Sequence, residues 1–155
     1  MFRSILFALA GASFLFAAGC SPAAQTSNDP IAISDAWAPV PPNGAPVAAG
    51  YMTLTNSTDA PLALTGVQSP RAGRVEVHEM TMEGAMMHMR AIPSLTIPAH
   101  GSVSLSPGGT HLMFHDMPTP FAAGEAIPVM LTFDNGARVD ALLPVRAREG
   151  GHAGH

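Results

Sequence analysis

The chain contains no lysine, so its seven basic residues are all arginines; they face 11 acidic residues, for a formal net charge of −4. A mildly acidic chain with so few cations argues against nucleic acid as a partner. Cysteine is nearly absent as well. Cys20 stands alone, which rules out an internal disulfide, a thiolate zinc cluster and a paired-cysteine redox motif. No Gly-x-Ser-x-Gly element occurs. His111 and His115 stand four apart, but without the glutamate of a His-Glu-x-x-His motif. The chain is therefore read as a non-enzyme.

Beyond the first 19 residues, long apolar runs are missing too. Residues 1–19 combine Arg3 with the run Ile5–Phe16 and end in small residues, the pattern of a secretory signal. The run falls short of the ~20 residues that span a bilayer. Cys20 follows Ala17-Ala18-Gly19 in an arrangement similar to a bacterial lipobox, although leucine is usual where Ala17 stands. The expectation is a periplasmic protein acylated at Cys20 and touching the membrane only through that lipid anchor. Loss of Arg3 with the signal makes the mature chain one unit more acidic. Residues 20–30 are small and polar and read as a tether; residues 147–155 read as a flexible tail carrying His152 and His155.

Between them, residues 31–146 break into short runs separated by Gly, Pro, Asn and Asp. Fifteen prolines spread through the chain leave no room for a long helix. Candidate strands are Ile31–Ala38, Gly50–Asn56, Leu62–Val67, Arg74–Met82, Ala85–Ile92, Ser102–Ser106, Thr110–His115, Pro128–Phe133 and Arg138–Val145. Ala38–Pro46, with four prolines, reads as a loop over one end. The spacing predicts a single all-β domain, a sandwich or barrel.

What the chain does have is methionine and histidine. Seven of its ten methionines and five of its seven histidines lie between positions 78 and 117. Taken singly, Met80, Met82 and Met87 read as core filler, and His88, His100 and His115 as ordinary surface or core residues. Core packing does not call for histidines interleaved with methionines, so the density points to a functional cluster. Within it, ten residues separate His78 from Met89, 21 separate Met89 from His111, and one separates His111 from Met113. Imidazole with neutral thioether favours a soft monovalent ion, copper(I) above all.

A hairpin turning at Glu83-Gly84 would set His78 directly opposite Met89. His111 and Met113, two apart on a strand, would share a face, with His115 next on it as a reserve ligand. A blue copper site fails on ligands, because its cysteine would have to come from the domain body. Thiolates would hold copper(I) more tightly but oxidise outside the cytoplasm, whereas thioethers bind without a proton cost. Histidine must be neutral to bind, so affinity is expected to weaken toward and below about pH 6.5. His152 and His155 on a glycine-rich arm form a separate candidate for copper(II). Arg71, Arg74 and Arg90 are solvated face residues or a docking surface.

The pattern His78-x10-Met89-x21-His111-x-Met113 resembles the motif of the periplasmic copper chaperone family associated with the CuA centre of cytochrome c oxidase (PCuAC). The segments Ala49–Asn56 and Gly109–Phe114 are similar as well, and the likeness spans about Ile31 to Val145. The resemblance implies a cupredoxin-like β-sandwich that binds one copper(I) at those four residues. It would pass the ion to a copper acceptor such as an oxidase subunit or a thiol-containing assembly factor. Copper buffering or detoxification with no dedicated acceptor would use the same four residues.

Overall fold

The computed structural model describes residues 30–147. The signal, Cys20, nearly all of the tether and the tail histidines His152 and His155 lie outside the described residues. Ten strands follow one another: β1 Ile31–Pro39, β2 Ala48–Asn56, β3 Leu62–Gln68, β4 Arg74–Glu83, β5 Met86–Ile92, β6 Leu95–Ile97, β7 Ser102–Leu105, β8 His111–His115, β9 Ala126–Phe133 and β10 Arg138–Arg146. Nine match the candidate strands to within a few residues. Only β6 escapes sequence reading, since three residues behind Pro93 are too few to show a period of two. Ala38–Pro46 is partly strand, with β1 running to Pro39 and a single 3-10 turn at Pro42–Gly44.

Alternation builds the core. In β2, Ala48, Gly50, Met52, Leu54 and Asn56 face inward, while Ala49, Tyr51, Thr53 and Thr55 face out. Hydrogen bonding runs in the order β5-β4-β8-β2-β1-β10-β9-β3-β6, and β4 also pairs with β3 at Val67 and Val75. The sheet therefore closes on itself. β5, β6 and β7 are flaps outside the closed ring, on β4, β3 and β2 respectively. The architecture is the expected all-β, cupredoxin-like single domain.

Two features pin the region beneath β8. Phe114 is fully buried and meets Phe121 edge-on, ring centroids 5.2 Å apart. Gly50 leaves room for it: a Cβ there would stand 2.8 Å from Phe114 Cε2 and 2.9 Å from Leu143 Cδ2. Among the described residues the one buried side-chain amide is fully used, since Asn56 donates to the carbonyls of Ala60 and Ile97 and accepts from the Thr58 backbone and hydroxyl.

Away from that region, Glu125 ties the start of β9 to the β3–β4 loop. Its carboxylate accepts the Ala122 N–H at 3.0 Å and the Arg71 guanidinium at 3.3 Å. The backbone bond, then Arg71, holds this carboxyl below its ordinary value of 4.5. A carboxyl lowered on folding stabilises above its unfolded pKa and loses that contribution as pH falls through the folded value. Thermal melts from about pH 6 to about pH 3 should therefore show a lower Tm for Glu125→Gln near neutrality and convergence with the wild type in acid. A gap of constant size across that range would refute the assignment.

Candidate metal centre

β4 is the centre of the site, with β5 on one side and β8 on the other. Pleating sends Glu76, His78, Met80 and Met82 to one face of β4, and Val75 and Val77 to the core. On β8, Leu112 and Phe114 are fully buried in the core, so His111, Met113 and His115 take the other face. Antiparallel pairing places His78 directly opposite His111, Glu76 opposite Met113, and Arg74 opposite His115. The imidazoles of His78 and His111 are 6.0 Å apart between centroids, and those of His78 and His115 are 5.7 Å apart.

The other half of the pattern differs from expectation. His78 is paired with Ala91, not with Met89, and Met89 is paired with Met80. The turn is Gly84-Ala85, not Glu83-Gly84, with Gly84 at φ +64°. A two-residue turn with positive φ at its first central position needs glycine there, whereas Glu83-Gly84 would have forced Glu83 into that conformation. The register moves by two residues, which preserves the face. Met89 and Met113 thus flank His78 diagonally, one toward the hairpin tip and one toward the other end of β8. All four residues of the pattern share one surface, and Met89 is the most open of them at 47% exposure.

The core-filler reading of the neighbouring methionines is overturned. Met82 and Met87, paired across the hairpin, are 64% and 62% exposed, and Met80 is only partly buried. β5 lies beyond the closed ring, so its side chains have no second layer to pack against. His88 and His100 are surface residues as expected: His88 lies 3.8 Å from Glu83 and His100 pairs with Asp59 at 2.7 Å.

Tautomers follow from the hydrogen bonds. His111, 4% exposed, sets Nδ1 3.0 Å from the Gly109 carbonyl. A carbonyl only accepts, so Nδ1 carries the proton and the neutral ring keeps its Nε2 lone pair free. His78 Nε2 donates to Glu76 at 3.0 Å, which leaves its Nδ1 lone pair available, and that nitrogen is buried without a hydrogen-bond partner. An orphaned buried imidazole nitrogen is costly unless something electrophilic meets it. Met113 lies at the edge of a surface pocket formed with Pro39, Val40, Pro42, Val47 and Tyr51.

Glu76 is the residue sequence reasoning missed. Its carboxylate lies 3.0 Å from His78 Nε2 and 3.2 Å from His115 Nε2, and Arg74 approaches at 3.5 Å. The hydrogen bond from His78 holds its carboxyl below the usual range, and the charges of Arg74 and His115 add to this. The signal was present as Glu76-Val77-His78, two apart on a strand, but an isolated Glu-x-His pair is too common to single out. Arg71 is drawn off to Glu125 and Arg90 to Glu79, so the three arginines are engaged in ion pairs and do not form a cationic patch.

This barrel with a histidine–methionine face defines a PCuAC-type domain. It superposes on the solved structure titled "Copper-bound PCuAC domain from PmoF2" with a TM-score of 0.65 at 28% identity, covering 76% of this chain and 93% of that one. The copper(I) form of DR1885 from Deinococcus radiodurans gives a TM-score of 0.64 at 30% identity, over 83% and 85% of the two chains. The chain belongs to the LpqE-like lipoprotein family, whose model, described as "Putative lipoprotein LpqE-like", matches residues 31–145. A relative from Leifsonia xyli subsp. xyli, named "Putative lipoprotein Lxx21020", is 32% identical over 92% of this chain and 85% of its own length. Among the described residues, no helix is long and apolar enough to cross a membrane.

Proposed function

We propose that this protein is an exported copper(I) carrier in which His78, Met89, His111 and Met113 hold the ion. The observation that carries the reading is the pair of facing imidazoles, His78 and His111. Each has one nitrogen occupied by an oxygen acceptor and the other left free, with a thioether diagonal to His78 on either side. Neutral imidazoles and thioethers select the reduced ion. The copper-bound PmoF2 domain and the copper(I) form of DR1885 support it through likeness of fold.

Exposure of Met89, Met87 and Met82 suits release. A weakly enclosed thioether is displaced by an acceptor's thiolates, and the hairpin offers further soft donors along the way out. The acceptor is a copper-receiving protein such as an oxidase subunit or a thiol-containing assembly factor, and the carrier works in the periplasm. The lipoprotein naming of the family and of the Leifsonia relative supports tethering through an acylated Cys20. His152 and His155 would capture copper(II) at the tail, and deletion of residues 150–155 should then lower copper(II) uptake.

Titration of copper(I) into the mature protein should give a 1:1 complex with sulfur and nitrogen donors in its K-edge absorption. Absence of that complex, or equal uptake by a His78→Ala/Met89→Ala variant, would reject the proposal. Delivery would show as loss of oxidase copper in a deletion strain grown at low external copper. Copper sensitivity with intact oxidase would mark a buffering protein instead.

A further inference from the structure

Glu76, His78 and His115 each offer one ligating atom, and those atoms all lie within 4.8 Å of one another. A glutamate and two histidines form a harder donor set than the histidine–methionine one. Two observations besides proximity point to a ligand. His115 Nε2 is buried with no hydrogen-bond partner, although Glu76 Oε2 stands only 3.2 Å away, because the approach is off the line of a hydrogen bond. His78 turns its Nε2 toward the same oxygen at 3.0 Å, so two imidazole nitrogens converge on one carboxylate. Of the two, the His115 nitrogen is met by neither solvent nor protein, and a cation seated among the three atoms would satisfy it.

We propose that Glu76, His78 and His115 form a nitrogen–oxygen site for a divalent ion, copper(II), which shares His78 with the thioether-containing set. His111, directly opposite His78, stands within reach as a further imidazole donor. Carboxylate and imidazole suit copper(II), which takes nitrogen and oxygen donors in tetragonal arrangements and outcompetes zinc(II) at such sites. The methionines Met89 and Met113 are poor partners for the oxidised ion, just as Glu76 is a poor one for copper(I). A neutral imidazole has one lone pair, so His78 binds copper(I) through Nδ1 or, with its proton moved to Nδ1, copper(II) through Nε2, and the two ions are mutually exclusive. The face thus holds copper in either valence, one ion at a time, by exchanging soft donors for hard ones around a common imidazole. The inference rests on the copper reading of this face, but its hard-donor half stands or falls on different residues.

The test uses the full mature chain with His152→Ala and His155→Ala, so that the tail histidines do not contribute. Copper(II) is added alone and followed by electron paramagnetic resonance and competition with a chelator; copper(I) affinity is measured separately. In that background, Glu76→Gln keeps an acceptor for His78 Nε2 but removes the charged oxygen. It and His115→Ala should each weaken copper(II) binding by at least about 10-fold, and His115→Ala, which removes neither a proposed copper(I) ligand nor the hydrogen-bond partner of one, should leave copper(I) affinity within about threefold. Met89→Leu/Met113→Leu should do the reverse. Equal copper(II) affinity in the wild type, Glu76→Gln and His115→Ala would overturn the proposal, as would displacement of copper(II) by equimolar zinc(II). Loss of copper(I) binding alone in the wild type would defeat the carrier function and leave the copper(II) site standing. Thermal melts check that each variant folds, and both substituted side chains are partly solvent-exposed.

Discussion

Replacing His111 with alanine is expected to lower copper(I) affinity by at least about 100-fold, about 2.8 kcal/mol. His111 is the most buried residue of the proposed site at 4% exposure, and its Nδ1–H is committed to Gly109. Its Nε2 lone pair is thereby oriented before metal arrives, so little reorganisation opposes binding. Met89, at 47% exposure, has no such preparation. Met89→Leu should therefore cost far less, on the order of 10-fold, because a mobile thioether gives back much of its bond energy as lost rotamer freedom. Competition against a colorimetric copper(I) chelator measures both. Thermal melts of both variants guard against a loss that arises merely from misfolding. A His111→Ala loss within threefold of wild type, or a Met89→Leu loss exceeding it, would show that burial does not order the ligands.

Phe114→Ala is expected to destabilise the fold by about 3–5 kcal/mol, a fall in Tm of roughly 10–25 °C for a domain this size. Phe114 lies between Met113 and His115 in β8 but on the core side, fully buried, edge-on to Phe121 and close over Gly50. Its ring is the wedge that fixes the inner face of β8, and the pleat transfers that position to the proposed ligands on the outer face. Truncation leaves a cavity that Gly50, having no side chain, cannot fill. The holo form should recover part of the loss, since a ligand at 100 times its Kd adds about 2.7 kcal/mol. Differential scanning of apo and copper(I)-loaded Phe114→Ala tests both statements. A Tm within about 3 °C of wild type would show that β8 is held by its strand pairing alone.

Most of the fold was legible from residue order because alternation and turn residues are local signals. β2 alternates without a break through Ala48–Asn56, and Gly, Pro, Asn and Asp punctuate the strands. The hairpin register differs from the sequence expectation by two residues, since the choice between Glu83-Gly84 and Gly84-Ala85 depends on backbone conformation rather than composition. The exposure of Met82 and Met87 was likewise hidden. A strand pattern says which face a residue takes, but not whether another layer covers that face, and β5 has none.

His78, Met89, His111 and Met113 stand out as candidates in chain order alone, because an imidazole–thioether combination at fixed separations is chemically unusual and strand parity puts partners two apart on one side. Chain order could not reveal that His78 lies across from His111, that Glu76 stands between two histidines, or that two ring nitrogens are sealed from water. Those facts arise from pairing between strands distant in the chain. Strand pairing is decided by the packing of the whole barrel, in which Phe114 and Gly50 set where β8 can sit.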